Sequence, residues 1–203
     1  MLRRTGRFLK PTGNSSKGDA VPDIIDPKEL EQKKIFLILA SPATIRQRNI
    51  DILKEVSMLG YHTIVITTNF PYSILVKLYA QNGIPLESVS FIDAVTRNSI
   101  GSVENVPGVV RYINNPANLT DMGIAVTEVL KEHAEKKVCI MYDSVSTMLI
   151  YLSSANISKF IHFVTNKLRL MDISGVFLAV EKGLDPMLMT QLTTFVDNVV
   201  DVE

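Results

Sequence analysis

Two patterns of apolar residues alternate along this chain: short unbroken runs, and longer stretches in which apolar positions recur at helical spacing. The first run, residues 34–40, predicts a strand covered on both faces. Ile45, Ile50, Leu53, Val56 and Leu59 then mark a helix that Thr44 is placed to cap and Gly60 to end. Residues 62–67 are β-branched and strand-like. Pro71 opens a helix that runs through Ala80 and closes at Gly83. Residues 88–94, 138–142 and 174–180 read as further strands, and 198–202 as a last one at an edge.

The stretch "NLTDMGIAVTEVLKEH" predicts a helix with Ile124, Val126, Val129 and Leu130 among its buried positions. Helices are expected at 144–153 and at 156–171, the second capped by Asn156, and "DPMLMTQLTTFVD" begins a last one with a cap and a proline. Residues 95–120, with Gly101, Pro107, Gly108 and "NNPAN", show no periodicity and predict a long irregular connection. Strands alternating with helices throughout predict an α/β fold, a three-layer sandwich of a mostly parallel sheet with helices on both faces. Ligands in such sheets bind at the carboxyl ends of the strands. The positions to weigh are therefore 41–48, then Thr67, Thr68 and Asn69, then Asp93, then Asp143 and Ser144, then Glu181 and Lys182.

Composition sharpens this picture at the amino terminus. Residues 1–32 are rich in Gly, Pro, Ser and charge, and Arg3, Arg4, Arg7, Lys10 and Lys17 meet no acid in the first eighteen positions. They are expected to form a flexible basic tail ahead of a domain at 33–203. Across the 203 residues, 21 Lys and Arg balance 21 Asp and Glu, so net charge does not point to a polyanionic partner. The single cysteine, Cys139, lies inside an apolar run, which excludes an intramolecular disulfide and fits a cytoplasmic setting. His62, His133 and His162 have no ligand-like spacing, no run approaches a membrane span, and there is no Gly-x-Ser-x-Gly elbow for a serine hydrolase. The methionines at 141, 148, 171, 187 and 189 fall at core-like positions.

From Val138 onward the chain has an apolar strand ending in Asp-Ser, a "VSTMLIYL" segment, a helix with a "FIHF" core, a Gly-hydrophobic strand and a "DNVVDVE" ending. This order resembles the KaiC-like branch of the RecA-superfamily ATPases. The first half fits in the same way: strand, loop, helix, a strand ending in Thr-Thr, a proline-led helix and "FIDA". The segment "NPANLTD" resembles archaeal members that have lost the nucleotide motif. The resemblance covers about residues 33–203 and implies a RecA-like sheet.

It also implies a phosphate loop where this chain reads "SPATIRQR" at 41–48. Glycines of that loop let backbone N–H groups surround phosphates, its lysine neutralises them and its hydroxyl holds magnesium. No register of this chain supplies all three. The acidic pair expected after the second strand is replaced by Thr67, Thr68 and Asn69, while Asp143 matches the metal-binding aspartate. The candidate nucleotide- or anion-binding residues are thus Ser41, Thr44, Arg46, Arg48 and Thr68, and the candidate metal ligand is Asp143, which could equally cap the helix after it. On a helix, Arg46 and Arg48 point about 200° apart, so they do not easily share one phosphate.

The resemblance therefore implies a non-catalytic RecA/KaiC-like domain with a regulatory or scaffolding role. Its expected partner is a second copy or a related ATPase, and no cofactor is expected. The alternative is a nucleotide- or anion-binding protein, a slow ATPase or nucleotide sensor, that uses an atypical loop and binds ATP and magnesium weakly. Nucleic acid is not an expected partner, because charge is balanced and tryptophan is absent.

Overall fold

The computed structural model describes residues 24–202. Its sheet contains β1 (Ile35–Ala40), β2 (His62–Thr67), β3 (Val89–Asp93), β4 (Val110–Tyr112), β5 (Val138–Asp143), β6 (Ser174–Val180) and β7 (Asn198–Val202). They run parallel in the order β4-β3-β2-β5-β6-β1-β7, so β7 does close one edge. Side chains alternate between the two faces, as the pleat demands. Phe36, Ile38, Cys139, Met141 and Val176 pack under α2 (Ile45–Met58) and α3 (Tyr72–Gln81). Leu37, Ile64, Ile140, Tyr142 and Phe177 pack under α5 (Leu119–Glu132), α6 (Ser154–Leu170) and α7 (Pro186–Phe195). The fold is therefore the expected three-layer α/β sandwich, with a sheet that is parallel throughout.

Several local expectations change. The connection at 95–120 contains a short helix, α4 (Thr96–Ile100), and the strand β4. The Arg97 guanidinium organises that stretch by donating to the carbonyls of Val103 and Tyr112 and to Asn114 Oδ1. The helix expected at 144–153 is a 3₁₀ helix over Val145–Ile150, and its N-cap is Ser144 instead of Asp143. The cap of α6 is Ser153, not Asn156, because α6 starts earlier and the Ser153 side chain accepts from Asn156 N. Asp185 caps α7 as expected, accepting from Leu188 N at 2.9 Å.

Residues 24–31, ahead of the expected domain start at 33, pack against the sheet layers. Ile24 and Ile25 are buried, and their amides donate to the Glu55 carboxylate of α2 at 3.0 to 3.1 Å. A short helix, α1 (Pro27–Glu31), follows, and its Leu30 is fully buried. The Leu30 carbonyl accepts from Tyr61 Oη at 3.1 Å and Ser174 Oγ at 2.7 Å, which ties α1 to the starts of β2 and β6. The rest of the expected tail, residues 1–23, lies outside the described residues.

Two histidines far apart in sequence meet at the amino ends of β2 and β3. Ser90 Oγ lies 2.8 Å from His62 Nε2 and 2.9 Å from His133 Nε2, and it donates to the Gly108 carbonyl at 2.7 Å. With that proton directed at Gly108, Ser90 accepts from both rings, so each carries its proton on Nε2. His62 Nδ1 is then the acceptor facing Lys136 Nζ at 3.3 Å. Burial, then the neighbouring His133 and Lys136, push His62 down to about 4.

Truncating Leu30 to alanine should cost about 2–4 kcal/mol in urea unfolding, as for other fully buried leucines. A loss below about 0.5 kcal/mol would mean that α1 is not part of the cooperative unit. Acid should also destabilise the fold through His62. The unfolded chain takes up a proton as pH falls below 6.5, and the folded chain does not until about 4. Stability from this group is full above the unfolded value and declines between the two, by about 2 kcal/mol at about pH 5. Unfolding curves at neutral and acidic pH should show that decline, and His62→Gln should flatten it.

Candidate functional site

The candidate residues lie at or just after the carboxyl ends of β1, β2 and β5. Directly after β1 the chain makes a tight turn in which Thr44 N and Ile45 N donate to the Ser41 carbonyl at 3.1 and 3.0 Å. The Ser41 and Thr44 hydroxyls lie 2.9 Å apart, and Thr44 N also donates to Ser41 Oγ at 3.3 Å. Thr44 precedes α2 but makes no side-chain cap bond, because its hydroxyl is turned back into the loop. The expected cap is therefore absent, and Ser41 and Thr44 serve each other.

Arg46 and Arg48 diverge, as their spacing predicts. The exposed Arg46 guanidinium lies 5.7 Å from the centre of the Phe70 ring, whereas Arg48 Nη1 pairs with Asp51 Oδ2 at 3.3 Å. Thr68 is buried in a different network. Its hydroxyl lies 2.8 Å from that of Thr147 and 3.3 Å from the Ser144 carbonyl, while its amide donates to the Asp143 carbonyl at 3.1 Å. Thr147 Oγ1 also donates to the Ser144 carbonyl at 2.8 Å. Thr68 thus locks the ends of β2 and β5 together. Asp93, at the end of β3, is likewise engaged: its carboxylate accepts from the amides of Tyr72, Val95 and Thr96 and from the Thr96 hydroxyl.

Asp143 is the exception among the strand-end acids. It is 4% exposed and lines a cavity of about 240 Å³ between α2 and α3, together with Arg46, Asn49, Asn69 and Phe70. Burial pushes its carboxyl up to about 6, and a hydrogen bond from the Asn69 side chain opposes that rise. Asn49 was not among the sequence candidates, yet it stands 3% exposed on the same cavity. Its signal was available: it lies four residues from both Ile45 and Leu53, a polar residue on the apolar stripe of α2. Of the sequence candidates, only Arg46 and Asp143 share this cavity.

A family model described as a family of unknown function, DUF7504, matches residues 40–202. The chain belongs to that family. No curated protein matches it. The KaiC-like protein PH0186 from the hyperthermophilic archaeon Pyrococcus horikoshii OT3 is 13% identical with a TM-score of 0.58, covering 85% of this chain and 73% of its own. The uncharacterized protein PH0321 from Pyrococcus horikoshii, solved in complex with an unknown peptide, is 11% identical with a TM-score of 0.63, covering 84% of this chain and 78% of its own. At these identities the likeness gives the fold of this DUF7504 chain, a RecA-like α/β architecture of the kind KaiC-like proteins have. No helix among the described residues is long and apolar enough to cross a membrane, and no three His, Cys, Asp or Glu among them group to hold a metal. Cys139 is wholly buried, and burial pushes its thiol up to about 12, so it stays protonated and unreactive.

The Thr68–Thr147 pair gives a direct test of structural against ligand-binding roles. Thr68→Val should cost about 1–2 kcal/mol in urea unfolding, since it leaves buried polar groups with one partner fewer. Arg46→Ala, at an exposed position, should change stability by less than about 0.5 kcal/mol. Equal effects of the two would remove the structural role assigned to Thr68.

Proposed function

We propose that this DUF7504 chain is a non-catalytic RecA/KaiC-like domain that acts as a cytoplasmic regulatory or scaffolding protein through protein–protein contacts. Its partner is a second copy of the chain or a related ATPase. The observation that carries this reading is the closed turn after β1, where the Ser41 and Thr44 hydroxyls lie 2.9 Å apart and no glycine is present. A nucleotide phosphate needs several backbone N–H groups directed at one point, and residues with a Cβ do not readily take the positive-φ turns that achieve this. Here the Thr44 and Ile45 amides are already engaged by Ser41. The turn therefore does not fit a magnesium–nucleotide phosphate, and Asp143 alone is a poor cage for a divalent ion.

Two further observations support the protein-contact part. Ile124 and Phe163 stand 51% and 45% exposed in the groove between α5 and α6, an apolar surface of the kind that marks contacts. One structural neighbour was solved with an unknown peptide bound, so the fold has accommodated a polypeptide in a distant likeness.

A second reading, nucleotide or anion binding without the usual loop, is favoured by one observation. Exposed Arg46 and buried Asp143 line the same cavity at the strand ends. Isothermal titration of the full chain with ATP and magnesium separates the two. The proposal expects no heat up to millimolar nucleotide, no phosphate release, and the same blank result for Asp143→Ala. Micromolar binding that disappears in Asp143→Ala would overturn it in favour of the nucleotide reading. Sedimentation velocity should show self-association or, with a related ATPase added, a joint species. A monomer indifferent to both would remove the partner assignment.

A further inference from the structure

We propose that the cavity between α2 and α3 binds a small neutral organic molecule bearing a carboxamide-type head, an N–H beside a C=O, on an apolar body. This inference stands independently of whether the chain regulates a partner. It rests on two buried polar groups of opposite hydrogen-bonding sense on one cavity. Asn49 Oδ1 accepts from Tyr79 Oη at 3.0 Å, but Asn49 Nδ2 is buried and meets no acceptor among the described residues. Buried donors in native proteins are almost always paired, and an amide N–H kept without an acceptor is a costly feature to retain. Asp143, 4% exposed on the same cavity, is acceptor-only when ionised, and among the described residues the Asn69 side chain is the hydrogen-bonding group that acts on it.

Apart from these two and the polar Arg46 and Asn69, the lining is apolar, with Pro42, Ile45, Phe70, Leu75 and Leu78 facing a volume of about 240 Å³. A few convergent polar groups in an otherwise apolar cavity are the usual composition of a small-molecule site. The charges select the head group. A carboxylate or phosphate would satisfy Asn49 Nδ2 but would meet the Asp143 carboxylate. An ammonium would suit Asp143, but it would leave Asn49 Nδ2 without an acceptor and would approach past the Arg46 guanidinium, which is over the Phe70 ring. A carboxamide, lactam or similar group offers its C=O to Asn49 and its N–H to Asp143, and its apolar body lies against Phe70 and the leucines. No metal, phosphate or catalytic step is required.

Three probes that share one ring and differ only in the head group test this: benzamide, benzylamine and benzoate, titrated into the full chain and followed by amide and side-chain NMR shifts. Benzamide is expected to perturb Asn49, Asn69 and Phe70 with a dissociation constant of about a millimolar, and the two charged probes to bind about tenfold more weakly. Asn49→Leu, which keeps the side chain's size and removes the donor, should weaken benzamide by about tenfold. Leu78→Trp, at a half-buried wall position, should abolish binding by filling the cavity and serves if Asn49→Leu fails to fold. Tighter binding of benzylamine would overturn the proposal in favour of a cation site, and tighter binding of benzoate in favour of an anion site governed by Arg46. Benzamide leaving these residues unshifted would overturn it outright, whatever the ATP titration shows.

Discussion

A parallel sheet leaves neither face to water, and that constraint governs the rest of this molecule. Each strand must be joined to the next by a crossover, and the crossovers lay helices over both faces. Every side chain of β1, β2, β3 and β5 is buried as a result. Polar chemistry is then confined to the strand ends, where the chain enters or leaves the layers. The two ends are used differently. At the amino ends, Ser90 joins His62 and His133 to the Gly108 carbonyl, and the Leu30 carbonyl is shared by Tyr61 and Ser174. Those are closed networks that fix the sheet to its flanking segments. At the carboxyl ends, the buried Asn49 and Asp143 share a cavity, and Asn49 Nδ2 meets no acceptor among the described residues.

The same constraint explains what was legible in the sequence. Strands buried on both faces read as continuous apolar runs, so β1, β2, β3, β5 and β6 could be placed within a residue or two. β4 escaped because it is three residues long at an edge, with Arg111 and Tyr112 half-buried, so there was no run to see. α1 escaped because a five-residue helix with one buried residue has no period to detect. Caps were read less well than helices, since the choice between Ser153 and Asn156 depends on where a turn begins and not on composition.

The surroundings of the candidate residues were legible only where the strand order alone decides their place. Asp143 and Arg46 belong to the strand ends by topology, and both line the cavity. Thr68 was assigned to anions by the same reasoning, yet its hydroxyl faces Thr147, a contact across 79 positions that no local pattern encodes. Ser41 and Thr44 show the related limit: a hydroxyl near a helix start can cap, bind or close its own loop. Here the two hydroxyls lie 2.9 Å apart, a contact within the loop that composition does not encode. The pairing of His62 with His133 is a further case, because ligand-like spacing describes neighbours along a chain and says nothing about residues on β2 and after α5.

Asn49 is informative for the opposite reason, since its position is dictated by its neighbours and its chemistry is not. Ile50, Ile52, Leu53 and Val56 are all buried against the sheet, so α2 cannot rotate to bring Asn49 to water without exposing them. A leucine at that place would suit the stripe and would ask for no partner. Other buried polar side chains of the fold reach one: Thr165 donates to the His162 carbonyl, Thr67 to Phe70 and Ser174 to Leu30. Asn49 has Tyr79 for its oxygen and, among the described residues, no acceptor for its nitrogen. A buried amide satisfied on one side, on the same cavity as the Asp143 carboxylate and near apolar groups, has the form of a recognition element more than of a packing residue.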